Sequence, residues 1–210
     1  MTALILVDIQ NDFLPGGALA VPGGDQIVSL VNQLQPHFDL VVATQDWHPA
    51  EHGSFAAHHA GQKPGELIDL HGLPQILWPT HCVQATGGAE FAPGLDHSRW
   101  NRVFVKGTDP TIDSYSGFFD NGHRRATGLG DYLRAEGVTD VYVVGLATDY
   151  CVKFTALDAL QLGFRTFLIE DACRGVNLQP NDVTKAIAEL SAAGVEIVKA
   201  NDVLATAARR

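Results

Sequence analysis

The chain has 210 residues, 46% hydrophobic and 18% charged, with three Trp and no low-complexity tract, which suits one ordinary globular domain and not a disordered segment. The formal net charge is -10, and Lys and Arg are scattered apart from the pairs Arg124-Arg125 and Arg209-Arg210, so no basic stripe neutralises phosphates and nucleic-acid binding is not expected. The apolar run at the N-terminus ends at Asp8 without a basic lead, too short for a signal peptide or membrane span, and three widely spaced cysteines, Cys82, Cys151 and Cys173, fit reduced thiols; a cytoplasmic protein is expected.

Short runs nearly continuous in Val, Ile and Leu alternate with stretches whose apolar residues recur every three or four positions. In chain order they predict a strand at Ala3 to Ile9, a helix at Asp25 to Leu34, and strands at Leu40 to Thr44 and Val103 to Lys106. A helix at Gly128 to Glu136 follows, then a strand at Val141 to Leu146 and a helix at Tyr150 to Leu162. A strand at Thr166 to Ile169, a helix at Asn181 to Ala193 and a strand at Val195 to Val198 complete the series. Gly137, Gly163 and Gly194 stand where left-handed C-caps would end three of the helices. The expected fold is α/β, a three-layer αβα sandwich around a mainly parallel six-stranded sheet. The segment from about 46 to 99 breaks this rhythm and holds seven of the nine histidines, which reads as a functional insertion within a single domain spanning 1–210. No GxGxxG follows the first strand and no Walker loop occurs, so a nucleotide-binding module is disfavoured.

In open α/β sheets the ligand sits at the carboxyl ends of the strands. Asp8, Lys106 and Cys151 fall at or just beyond three of those ends. A thiol at a helix start is favoured as thiolate by the helix dipole, a nearby ammonium would lower its pKa further, and a carboxylate can take its proton. A second group is Asp46 and His48, which flank one residue and so point the same way from an extended backbone, with His81 further on. Imidazole and carboxylate donors suit Zn2+, Fe2+ or Mn2+, and three ligands leave positions open. Cys82, adjacent to His81, should face the other way, and no partner pattern supports Cys173. The remaining histidines, His37, His58, His59, His71, His97 and His123, read as structural or exposed.

Six ordered stretches carry a resemblance: Leu-Val-Asp8-Ile-Gln-Asn-Asp-Phe13, Thr-Gln-Asp46-Trp-His48-Pro, Trp78-Pro-Thr-His81-Cys-Val, Val-Phe-Val-Lys106-Gly, Asp113-Ser-Tyr115-Ser-Gly-Phe-Phe-Asp-Asn and Gly145-Leu-Ala-Thr-Asp-Tyr-Cys151-Val. In these the chain resembles the isochorismatase-like cysteine hydrolases and, within them, the nicotinamidases. The resemblance implies a catalytic triad of Asp8, Lys106 and Cys151, and one divalent ion, Zn2+ first, on Asp46, His48 and His81. It also implies a cis peptide between Leu146 and Ala147 and an oxyanion hole from the Ala147 and Cys151 N–H groups. Phe13, Leu19, Trp78, Tyr115 and Leu146 would contact a flat ring. His52 departs from the spacing of the additional histidine in some relatives and is carried as a fourth or outer ligand.

The implied activity is hydrolysis of nicotinamide to nicotinate and ammonia through a thioester, in NAD salvage, with pyrazinamide as a further substrate. An amidase of the same fold acting on a ureido or other small amide is the alternative, followed by an isochorismatase and by a non-catalytic metal- or ligand-binding module. A homo-oligomer is compatible with the sequence.

Overall fold

The computed structural model describes residues 1–207; the Arg209-Arg210 pair lies outside them. Six strands form one sheet: β1 (Thr2–Val7), β2 (Leu40–Asp46), β5 (Arg102–Lys106), β6 (Asp140–Leu146), β7 (Arg165–Arg174) and β8 (Glu196–Val198). Their order is β5-β2-β1-β6-β7-β8, and every neighbouring pair is parallel.

The period-two alternation of β1 divides the core. Ala3, Ile5 and Val7 pack with Leu129 and Leu133 of α2 (Leu129–Ala135), Ala156 and Ala159 of α3 (Lys153–Gln161) and Leu190 of α4 (Asp182–Ala193). Leu4 and Leu6 face the other way, onto Val31 and Leu34 of α1 (Val28–Leu34) and Ala200 of α5 (Ala200–Ala207). These are the three layers expected from the sequence. Gly137, Gly163 and Gly194 take φ of 73°, 91° and 109°, the left-handed conformation a C-cap requires and only Gly adopts without cost.

Three features differ from the sequence expectation. The 46–99 segment contains an antiparallel hairpin, β3 (Leu67–Leu70) and β4 (Leu73–Ile76), turned at His71 and Gly72 with φ of 51° and 87°. Its four-residue strands are half exposed, so they lack the continuous apolar run that marked the central strands. The helix expected from Tyr150 begins instead as a wide turn over Thr148–Val152, and α3 starts at Lys153. The terminal helix α5 was not expected at all.

Candidate active site and metal centre

The strand register builds the site. Asp46 and Lys106, the last residues of β2 and β5, are direct partners across the two strands, and Val7 of β1 pairs with Gly145 of β6. Asp8 therefore leaves the sheet beside the residues that lead to Cys151. Asp8 takes φ of 47°, a left-handed conformation that Asp tolerates better than most residues.

Lys106 joins the groups. Its Nζ lies 2.8 Å from Asp8 Oδ2 and 3.4 Å from Cys151 Sγ, and it donates to Asp46 Oδ1 at 2.6 Å and to the Ser114 carbonyl at 2.9 Å. Asp8, Asp46 and Cys151 bring one ligand atom each within 4.8 Å of the others. All four side chains are buried. Burial raises the Asp8 carboxyl to about 6, against the opposing pull of Lys106. Burial acts the same way on Asp46, but Lys106 and then His48 outweigh it and hold that carboxyl below its usual range. Lys106 is held well above its ordinary value because its two carboxylate neighbours overcome the cost of burial.

Cys151 departs from expectation. Its thiol is pushed well above its ordinary value because burial outweighs the Lys106 charge. It sits within the wide turn and not in the first turn of α3, and it is only 7% exposed, so the helix-start thiol favoured as thiolate that the sequence suggested differs from this buried position. The peptide between Leu146 and Ala147 is cis, and the Ala147 carbonyl accepts from the Tyr150 and Val152 N–H groups, fixing the turn that carries Cys151.

The second group lies directly alongside. His48 Nδ1 is 2.9 Å from the Gly107 carbonyl and His81 Nδ1 is 2.7 Å from the Pro79 carbonyl. Carbonyls only accept, so each Nδ1 carries a proton and in the neutral ring each Nε2 presents a lone pair. Those two Nε2 atoms lie 3.5 and 3.9 Å from Asp46 Oδ2. Three acceptor atoms thus converge, and the two buried carboxylates Asp8 and Asp46 face a single ammonium. Both facts call for a cation, and an N2O donor set within 4.8 Å fits a divalent metal ion. His81 is lowered to about 4 by burial and by His48, which keeps its ring neutral. His48 is raised because Asp46 overcomes its burial.

His52 does not join that set. Its ring lies 4.3 Å from the His48 ring, its Nδ1 is 2.7 Å from Ser54 Oγ, and its Nε2 is buried without a hydrogen-bond partner. It groups with His48 and Asp113 instead.

A cavity opens onto both groups, walled by Phe13, Leu19, Trp78, Tyr115, Ala147, Tyr150 and Val176 with Asp46, His48, His81, Asp113 and Cys151. Leu146 requires correction: its side chain is fully buried in the core and does not reach the cavity, and Ala147 lines it in its place. Cys82 and Cys173 are also buried and absent from this wall. Residues missed in the sequence complete the arrangement. Thr44 donates to Asp8 Oδ1 at 2.6 Å, and Gln10 accepts from the Asp46 N–H and donates to its carbonyl, each at 2.8 Å. Trp78 Nε1 and Gln75 Nε2 each reach the Tyr115 hydroxyl at 3.1 Å. Thr44 stands two residues before Asp46 on one strand face, and Gln10 two after Asp8, a spacing that could have flagged both. A larger hollow of about 400 Å³ at the amino ends of the strands, lined by His37, Phe38 and Phe167 among others, holds none of the candidate residues.

Residues 2–202 match the isochorismatase domain. The chain belongs to the isochorismatase family. Among its relatives in that family, the nicotinamidase of Escherichia coli is 54% identical over 199 residues, 93% of each chain. A solved nicotinamidase pyrazinamidase from Acinetobacter baumanii superposes with a TM-score of 0.94 at 46% identity, covering 96% of this chain and 97% of that one. A Pyrococcus horikoshii pyrazinamidase solved in complex with zinc gives a TM-score of 0.77 at 42% identity, covering 94% and 98%. This isochorismatase-family hydrolase has no helix, among the described residues, long and apolar enough to cross a membrane.

Proposed function

We propose that the protein is a metal-dependent cysteine amidase that hydrolyses nicotinamide to nicotinate and ammonia through a thioester, and that it also accepts pyrazinamide. The observation that carries this reading is Cys151, which opens onto an aromatic-walled cavity with its Sγ 3.4 Å from the Lys106 ammonium that Asp8 and Asp46 share behind it. Relatives named as nicotinamidases at 54% and 46% identity support the substrate class.

In this reading Phe13, Trp78 and Tyr115, with Leu19, clamp a flat ring and present its carboxamide to Cys151. Asp8 is the base. A carboxylate with a pKa of about 6 is ionised at neutral pH yet basic enough to take the thiol proton as sulfur attacks. Lys106 compensates the charge that appears on sulfur, and the Ala147 and Cys151 N–H groups receive the charge on the carboxamide oxygen. Asp8 then gives its proton to the departing ammonia, and water attacks the thioester. Asp46, His48 and His81 would hold the metal, which when bound supplies a Lewis-acidic anchor for a ring nitrogen and an acidified water. Zn2+ is the proposed ion, in keeping with the zinc complex of the Pyrococcus horikoshii pyrazinamidase. His52 is assigned to backing His48.

The same proposal treats residues 1–210 as one isochorismatase-like unit with 46–99 as its metal- and substrate-binding insertion. It places the enzyme in the cytoplasm, where three unpaired thiols are stable, and in NAD salvage. Ammonia release from nicotinamide by wild type, abolished in Cys151→Ala and in chelated enzyme and restored to the latter by Zn2+, tests the proposal. Equal turnover by wild type and Cys151→Ala would sink it.

A further inference from the structure

We infer that Asp12 is a positioning residue that locks the metal-ligand segment to the substrate-side wall of the cavity, so that metal affinity and ring binding depend on one carboxylate. The inference rests on the proposed metal role of Asp46, His48 and His81.

The two oxygens of Asp12 serve different segments. Oδ2 accepts the Cys82 N–H at 2.7 Å, and Oδ1 accepts the Ala18 N–H at 3.2 Å, while the Asp12 carbonyl accepts the Leu19 N–H at 2.9 Å. Cys82 is the hinge of the ligand pair. It follows His81 directly and takes φ of 45°, a left-handed conformation that a Cys side chain disfavours and that an external hydrogen bond must hold. Its carbonyl accepts the His48 N–H at 3.0 Å, and the His48 carbonyl accepts the Gln84 N–H at 2.8 Å. Cys82 thus ties the His48 backbone to the residue that follows His81, and Asp12 holds Cys82 by its N–H.

The other side of Asp12 leads to the cavity. Phe13 and Leu19 line it, and the Phe13 ring lies 5.6 Å from the His81 ring. Gly88 lies directly against the Asp12 carboxylate: a Cβ at Gly88 would collide with Asp12 Oδ2, Cγ and Oδ1. The backbone there leaves the carboxylate no room to swing away. A main-chain N–H that donates to a carboxylate makes one of the stronger hydrogen bonds, and groups that orient metal ligands from outside commonly govern metal affinity about 10- to 100-fold.

The test is zinc affinity, read by chelator competition on apoprotein, together with nicotinamide kinetics at saturating Zn2+. Asp12→Ala is expected to raise the zinc dissociation constant about 10-fold or more and to raise KM while kcat moves less. Asp12→Asn, whose amide oxygen can accept only one of the two N–H groups, should fall between Asp12→Ala and wild type. Gly88→Ala should weaken zinc binding in the same direction without altering any polar group, and it carries the test if Asp12→Ala does not fold. Wild-type zinc affinity in folded Asp12→Ala, or in both Asp12→Asn and Gly88→Ala, overturns the inference. His81→Ala is the control: zinc binding undiminished in that variant overturns the metal assignment itself, a separate outcome.

Discussion

Asp46 and Lys106 stand opposite one another in the register of β2 and β5, and the Lys106 Nζ closes to 2.6 Å on Asp46 Oδ1. The strand pairing that makes the sheet thereby ties the candidate metal ligand to the candidate triad, because the same ammonium reaches Asp8 and Cys151. Removing it leaves two carboxylates buried together without a counter-charge. Lys106→Ala is expected to destabilise the fold by about 3–5 kcal/mol, the usual cost of breaking a buried pair from one side, and to abolish turnover. Urea unfolding of the metal-free protein measures the first effect, and an unchanged midpoint would show that the ammonium is not holding the carboxylates.

The pH dependence follows from Asp8. Its carboxyl is raised to about 6 by burial, and as the proposed base it must be ionised, so kcat/KM is expected to fall as pH drops through about 6 and to level off above it. Thr44 donates to Asp8 Oδ1 and so favours the ionised form; Thr44→Val removes that donor and should move the acid limb to higher pH. An acid limb that stays in place in Thr44→Val would assign the ionisation to another group.

Gly107 is required where it stands. It takes φ of 63°, its carbonyl accepts from His48 Nδ1, and an added Cβ would lie 2.6 Å from that nitrogen and closer still to Cε1. Gly107→Ala should displace the His48 ring and empty the proposed metal site while the sheet remains intact. Metal analysis of the purified variant, with circular dichroism as the check on folding, reads this directly; stoichiometric metal would contradict the assigned geometry.

The central sheet was legible because its inner strands β1, β2 and β6 are buried on both faces and so appear as nearly unbroken apolar runs. The candidate residues at the strand ends were legible for a related reason: Asp8 and Lys106 are charges placed at the close of apolar runs, which burial makes costly unless they are paired, while Asp46 stood out by its spacing from His48. What did not show was whatever depended on distant partners. The β3–β4 hairpin is too short and too exposed to stand out, and α5 finds its partners in α1 and β7, far away in the chain. Gln10, Asp12 and Thr44 act through main-chain or side-chain bonds to residues 36 and 70 positions away, which no local pattern contains. Leu146 marks the opposite failure, since its place beside Ala147 says nothing of which side its chain faces, and it faces the core.

The resting state of Cys151 separates two accounts of how the thiol is activated. A helix-start cysteine beside a lysine suggests a standing thiolate, reactive across neutral pH. The folded site holds a buried thiol whose pKa burial drives well above the usual value despite Lys106, which fits the proposed mechanism in which deprotonation accompanies attack with Asp8 as acceptor. Alkylation by iodoacetamide in the absence of substrate should therefore be slow at neutral pH and rise with pH throughout the accessible range. Asp8→Asn should leave basal alkylation no slower, because the Asp8 charge helps to raise the thiol, while abolishing amide turnover if Asp8 is the base as proposed. Peptide mapping distinguishes Cys151 from Cys82 and Cys173, which are buried as well. A pH-independent alkylation rate from pH 6 to 9, faster than that of a free thiol, would instead establish a standing thiolate paired with Lys106 and remove Asp8 from the first proton transfer.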